Sequence, residues 1–160
     1  MASTPYVTND NIPQYVSPTF GTQSAVTQTT AAAPATTVST TAVMVGVGAY
    51  ITPNFSSRVE ITACGVAANT TINDTVTLDL RISAVAGQAA PVNGAAVVGT
   101  LVGIAQTINS LTAAQKTGFS ITGIATGLVP GSKYWVDLTN LVNAGGSTLT
   151  GITVTCIEII

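Results

Sequence analysis

The nine residues Thr75-Val-Thr-Leu-Asp-Leu-Arg-Ile-Ser83 alternate without a break between apolar and polar side chains. Successive side chains of a strand point to opposite faces, so Val76, Leu78, Leu80 and Ile82 share one face and Thr75, Thr77, Asp79, Arg81 and Ser83 the other. A period of two excludes an amphipathic helix, and one apolar face with one polar face marks an antiparallel strand packed on a core from one side. Similar stretches lie at residues 42–51, 58–67, 100–107, 117–125, 133–141 and 149–159. Turn chemistry separates them, as in Thr52-Pro53-Asn54, residues 69–74, Pro91-Val92-Asn93-Gly94, Val129-Pro130-Gly131-Ser132 and residues 143–147. Seven or eight short strands rich in Thr, Val and Ile predict an all-β fold, an antiparallel β-sandwich or jelly-roll-like domain. The one helical candidate is a short turn at residues 111–115.

Upstream of this pattern the chain changes character. Residues 11–57 contain no charged side chain, and residues 21–41 are almost wholly Thr, Ala, Ser, Gln and Pro, with no periodicity that would bury one face. Such a segment cannot build its own core. Residues 5–20, however, carry Pro5, Tyr6, Ile12, Pro13, Tyr15, Val16, Pro18 and Phe20. Prolines limit the entropy lost on ordering, and rings supply anchor area, which suits an extended arm that orders against a partner. The reading is therefore an arm and linker over 1–41 and a β-sandwich domain over 42–160.

Composition narrows the function. The 160 residues, 16.0 kDa, suffice for one domain with a tail. Charged residues make up 6% of the chain, against roughly a quarter in ordinary soluble domains, and 28 residues are threonine. The surface is thus covered by hydroxyls and amides instead of ions. Four basic residues, Arg58, Arg81, Lys116 and Lys133, at a net charge of -2 cannot neutralise many phosphates, which argues against nucleic acid and against polybasic membrane attachment. Histidine is absent, so His-based triads and His-liganded metals are excluded. The acids Glu60, Asp74, Asp79, Asp137 and Glu158 form no recognisable catalytic pair. No cofactor and no catalytic residue are expected; the composition points to a structural or binding protein. The N-terminus lacks the charged start and apolar core of a signal peptide, and the longest apolar run, 42–51, is about half of the roughly 20 residues of a spanning helix. A product made in a cytoplasm without export is expected.

Several residues invite a sharper reading. Asp79 and Arg81, two apart on one strand face, suit a local ion pair or a contact across a subunit boundary. In Lys133-Tyr134-Trp135-Val136-Asp137-Leu138, alternation sends Trp135 outward with Lys133 and Asp137 if Tyr134, Val136 and Leu138 face the core. An exposed tryptophan serves as an interface anchor, whereas a second layer would bury it within one subunit. Asp79, Arg81 and Trp135 are taken as subunit-interface candidates. Asn69, Asn73 and Asp74 cluster in one loop, but without EF-hand spacing an Asx-rich turn is favoured over a calcium site, and no metal is expected. Cys64 shares parity with Glu60 and Thr62, Cys156 with Ile152 and Val154, so the two thiols point to different kinds of face and no disulfide is expected. The sequons at Asn54, Asn69 and Asn73 carry little weight without a secretion signal.

Four stretches, Gly48-Ala-Tyr-Ile-Thr-Pro53, Ala90-Pro-Val-Asn-Gly-Ala-Ala-Val-Val-Gly-Thr100, Gly127-Leu-Val-Pro-Gly-Ser-Lys-Tyr-Trp-Val-Asp-Leu138 and Ile152-Thr-Val-Thr-Cys-Ile-Glu158, add a resemblance. From about residue 43 onward the chain resembles a β-sandwich domain of small virion proteins of tailed bacteriophages, among capsid decoration (cement) proteins, head fibres and tail appendages. The resemblance implies a homotrimer on a particle surface, bound to the major capsid protein, with an N-terminal segment as attachment arm. Tyr6, Tyr15 and Phe20 are then the candidate capsid-anchoring residues. Three functions compete on this basis: a decoration protein that stabilises the head, a tail-fibre or head-fibre adhesin that binds host surface glycan, and a major capsid or pilus-like subunit. The first is expected, with the virion as location, because the loops offer Asn and Ser but almost no aromatic platform for a glycan.

Overall fold

In the computed structural model, which describes residues 35–160, the alternating stretch lies inside β5 (Asp74–Ala84). Its apolar face is buried as the period requires: Val76, Leu78, Leu80 and Ile82 are at most 4% exposed. Two antiparallel sheets stack around that face. One runs in the order β1 (Ala35–Thr37), β9 (Ser147–Glu158), β4 (Val59–Asn69), β7 (Lys116–Ala125). The other runs β2 (Val43–Met44), β8 (Tyr134–Val142), β5, β6 (Thr100–Ser110), with β3 (Ala49–Ile51) also paired to β8.

Taking β2 and β3 as one interrupted strand, the outermost pair in sequence is β1 with β9, then β2/β3 with β8, then β4 with β7, and innermost β5 with β6. A long hairpin folded over on itself gives this nesting, which is the jelly roll, a β-sandwich of two Greek keys. Val59, Ile61 and Ala63 of β4 and Leu149, Ile152 and Val154 of β9 meet Leu78 and Leu80 of β5 and Val136 and Leu138 of β8 in the core. Each fully buried Val, Leu or Ile contributes about 1.5–3 kcal/mol relative to exposure, so these inward faces dominate the stability of the sandwich.

Four local departures shape the molecule. First, β1 lies inside the stretch expected to be arm and linker, so the sandwich takes a strand from before residue 42. Second, the expected strand at 42–51 is broken at residues 45–48, where Gly46 and Gly48 adopt positive φ of 78° and 65°. Third, Gly103, Ile104 and Ala105 of β6 stand opposite the lone Asp79 of β5, because Leu78 pairs with Gln106 while Leu80 pairs with Val102. This bulge has Gly103 at φ 73°. Fourth, residues 85–99 do not leave as a simple turn. They cross the outer face of the second sheet and bond to β2, with Met44 N–H donating to Ala95 O and Gly94 N–H to Met44 O, both at 2.9 Å. The helical candidate at 111–115 is a turn in which Gln115 Oε1 accepts from the N–H groups of Leu111 and Thr112 at 3.1 and 3.2 Å.

Candidate functional site

Three of the five described acids are buried, Asp74 at the start of β5, Glu158 at the end of β9 and Asp137 within β8 beside the β2–β3 break, and each organises backbone. Asp137, fully buried on β8, accepts Gly46 N–H through Oδ2 and Val47 N–H through Oδ1, both at 2.9 Å, and Leu138 N–H at 2.7 Å. The two donors on the β2–β3 break can turn inward because Gly46 has positive φ, and a Cβ there would lie 2.4 Å from Asn93 N. Burial pushes the Asp137 carboxyl up to about 6, against the pull of the three N–H donors. Glu158 closes β9 and accepts from the N–H groups of Asn54 at 3.1 Å, Phe55 at 2.6 Å and Ser56, which curls residues 52–57 around it. Asp74 opens β5, accepting Asn69 Nδ2 and Ala144 N–H at 2.8 Å. Burial acts to raise its carboxyl, but the donors of Thr75, Ala144, Asn69 and Asn143 outweigh that and hold it below its ordinary value.

The Asn69, Asn73, Asp74 cluster is thereby accounted for as a turn. Asn69 Oδ1 accepts Thr71 N–H at 2.8 Å while its amide holds Asp74, and Asn73 stands exposed with φ 56°. Among the described residues no group of three or more His, Cys, Asp or Glu could hold a metal ion. Structural carboxylates of this kind carry a signal in sequence that parity alone supplies: Glu158 continues the core-facing series Ile152, Val154, Cys156, and an acid at core parity must have dedicated donors.

The residues singled out by sequence fall as follows. Tyr6, Tyr15 and Phe20 lie outside the described residues. Asp79 and Arg81 form the local ion pair, Arg81 Nη2 to Asp79 Oδ2 at 3.2 Å, with side chains 16% and 20% exposed. Trp135 corrects an expectation. Its ring does leave the core face, but it is 0% exposed and lies under residues 85–99, with Nε1–H donating to Gln88 O at 2.9 Å and its far ring atoms packed where a Gly99 Cβ would be. The chain buries its own tryptophan, so the ring presents no surface to a second subunit. The thiols behave as parity requires: Cys64 is partly exposed and 2.9 Å from Thr153 Oγ1, while Cys156 is buried in the core and free. Burial pushes the Cys156 thiol up to about 12. Thiol titration of the native protein is expected to count Cys64 alone, and both after unfolding; two fast thiols in the native state would mean that the core does not enclose Cys156.

What parity did not flag is the edge formed by β6 and β7. Both are terminal strands of their sheets and run side by side, pinched where a Cβ on Gly123 would lie 3.0 Å from Gly103 N. From Thr100 to Ser132 the single charged residue is Lys116. Leu101 and Ile124 are each 45% exposed and Ile104 is 82% exposed. Between Leu101 and Ile124 opens a cleft of about 290 Å³, backed by Ile82, Ala125 and Tyr134.

No protein-family model matches the chain, and no curated protein matches it. Solved structures that are similar in part include the following two. One is that of infectious bursal disease virus, Gx strain, at 10% identity and a TM-score of 0.46, covering 84% of this chain and 32% of the viral one. The other is the C-terminal CBM6 of LamC, a marine laminarinase from Zobellia galactanivorans, at 16% identity and a TM-score of 0.36, covering 82% of this chain and 99% of that module. The chain spans about a third of the length of the viral protein chain. Both are distant, and nothing about function follows from either.

Proposed function

We propose that this chain is a structural virion protein, a capsid decoration protein that binds the head surface of a tailed bacteriophage as a homotrimer and stabilises the shell. The observation that carries the structural reading is the use made of the acids: Asp74, Asp137 and Glu158 hold backbone N–H groups, and Asp79 is paired with Arg81. A scaffold whose carboxylates bind its own loops suits a role in which geometry and contact area matter more than chemistry. The attachment arm of this reading is residues 5–20, whose rings and prolines suit ordering against the major capsid protein. A host-glycan adhesin is the second candidate and has less support. Glycan sites present several aromatic faces, and Phe55, 47% exposed, is the exposed aromatic among the described loops.

Deletion of residues 1–20 tests the proposal. Every described strand begins at Ala35 or later, so the truncated protein is expected to keep its far-ultraviolet circular dichroism and thermal midpoint. Its attachment to purified heads, read by co-sedimentation and electron microscopy, is expected to fall at least ~100-fold, because multivalent attachment through three arms is lost together. Full-strength attachment by the truncated protein would place the adhesive surface on the sandwich and overturn the arm.

A further inference from the structure

We propose that Asn93 is a site of covalent self-modification, where the chain converts its own asparagine to aspartate and isoaspartate, and that the isoaspartate releases residues 85–99 from β2. The inference goes beyond the decoration role and does not rest on it.

The chemistry is set by the residue that follows. The backbone nitrogen of the next residue can attack an asparagine side-chain amide and close a five-membered ring, an approach that a Cβ on that residue hinders and a glycine leaves free. Asn93 is the one asparagine of the chain followed by glycine. It stands exposed, and nothing lies within 4 Å of where a Cβ on Gly94 would be. Asn69 and Asn140, by contrast, are buried with their amides engaged, Nδ2 donating to Asp74 Oδ2 and to Ser147 Oγ at 2.8 Å. In the reaction the Gly94 nitrogen gives its proton to solvent base and bonds to Asn93 Cγ; the Cγ–Nδ2 bond breaks and ammonia leaves. Water then opens the succinimide. Attack at Cγ gives aspartate, whereas attack at the main-chain carbonyl gives isoaspartate, whose backbone runs through Cβ and Cγ and is one carbon longer. Water is the co-reactant, and nothing is oxidised or reduced.

The fold restrains the attacking nitrogen. Residues 92–95 form a turn closed by Ala95 N–H donating to Val92 O at 3.1 Å, with Gly94 at φ 81°, the type II arrangement. Gly94 N–H itself donates to Met44 O of β2 at 2.9 Å. A nitrogen held in this way reacts when the joint to β2 opens, so the native rate is the rate of the free segment multiplied by the open fraction.

The same joint cannot accommodate the longer product. Asn93 N lies 2.4 Å from where a Cβ on Gly46 would be, and Met44 bonds both Gly94 N–H and Ala95 O. An added backbone carbon between residues 93 and 94 displaces Gly94 and Ala95 from Asn93, so the Gly46 contact and both Met44 bonds cannot be kept together. Residues 85–99 carry no charged side chain and cover Trp135, whose Nε1–H donates to Gln88 O. Release at 93–95 therefore loosens the layer over the one tryptophan of the chain.

Incubation of the full chain in mildly alkaline buffer, beside a synthetic peptide of residues 89–98, tests this; peptide mass spectrometry locates the exchange of NH2 for OH, and enzymatic methylation counts isoaspartate. Residue 93 is expected to convert before every other asparagine, at least ~10-fold more slowly than in the peptide, and urea below the unfolding transition is expected to narrow that gap. As isoaspartate accumulates, Trp135 emission should move to the red and hydrogen exchange should accelerate across residues 85–99. Asn93→Asp, which adds the charge without the extra backbone carbon, should keep the wild-type emission and exchange. Asn93→Gln, whose ring closure would be six-membered, should suppress the conversion. A folded chain that does not convert at residue 93, that converts first at another asparagine, or that converts there as fast as the peptide overturns the proposal. So does isoaspartate at residue 93 with unchanged emission and exchange, or an Asn93→Asp protein loosened to the same extent, which would assign the effect to charge.

Discussion

Replacing Trp135 by alanine is expected to cost about 3–5 kcal/mol of stability, the range of a large buried aromatic removed without collapse of its surroundings. The site cannot easily collapse. The ring lies outside the main core, between the outer face of β8 and residues 85–99, and its indole N–H holds Gln88 O at 2.9 Å. Gly99, with φ 77°, approaches so closely that a Cβ would lie 2.6 Å from the ring. The loss should therefore concentrate above β8. In urea unfolding the Trp135→Ala midpoint should fall well below that of the wild type, and hydrogen exchange should accelerate across residues 85–99 before the core strands β4 and β5. A loss below about 1 kcal/mol with unchanged protection of that segment would show that the covering layer is held by other contacts.

Stability is expected to fall by about 2 kcal/mol, through Asp137 alone, as pH rises from 4 to 7. The sign follows from linkage. The folded carboxyl titrates at about 6 and the unfolded one near 3.8, so the folded state binds the proton more tightly. Its stabilising contribution, about 3 kcal/mol in full, is complete only well below the unfolded value and disappears as pH rises through the folded one; pH 4 lies just above the unfolded value, so about 2 kcal/mol is left to lose from there. Asp74, held below its ordinary value, acts in the opposite direction and loses its contribution as pH falls. Comparison with Asp137→Asn, which does not titrate there, isolates the first group. The stability difference between wild type and variant, measured by urea unfolding at pH 4, 5, 6 and 7, should shift by about 2 kcal/mol against the wild type. A difference that is flat, or that moves in favour of the wild type as pH rises, would mean that the three N–H donors outweigh burial.

Both predictions concern residues whose surroundings the local pattern does not contain. Alternation in 133–138 assigns Trp135 and Asp137 to the outer face of β8, and that assignment holds. Yet β8 is buried on nearly its whole length, from Tyr134 to Asn140 without interruption. The reason is residues 85–99, which read as turn chemistry around Pro91-Val92-Asn93-Gly94 but carry Val85, Ala95, Ala96, Val97 and Val98 besides. A connection of that length with so many apolar residues signals a packed layer instead of a turn. Glu158 stands at core parity and so carries a signal in the sequence, whereas Asp137 stands at outer-face parity and carries none; the donors of neither are local, since Asn54, Phe55, Gly46 and Val47 are about ninety to a hundred residues away in the chain.

By itself the sequence determined the class of fold, the strand positions within a few residues, the faces of β5 and β9, the separation of the two thiols and the scarcity of charge, because each follows from side-chain period, turn residues and composition, which are local. Tertiary structure alone decided that Ala35–Thr37 joins β9, that Trp135 is covered, that three acids bind loops, and that a bulge lifts Ile104 from an uncharged edge. Those outcomes depend on which strands become neighbours and on where two sheets pinch together at Gly103 and Gly123. Such contacts join residues far apart in the chain, and no period within one strand encodes them.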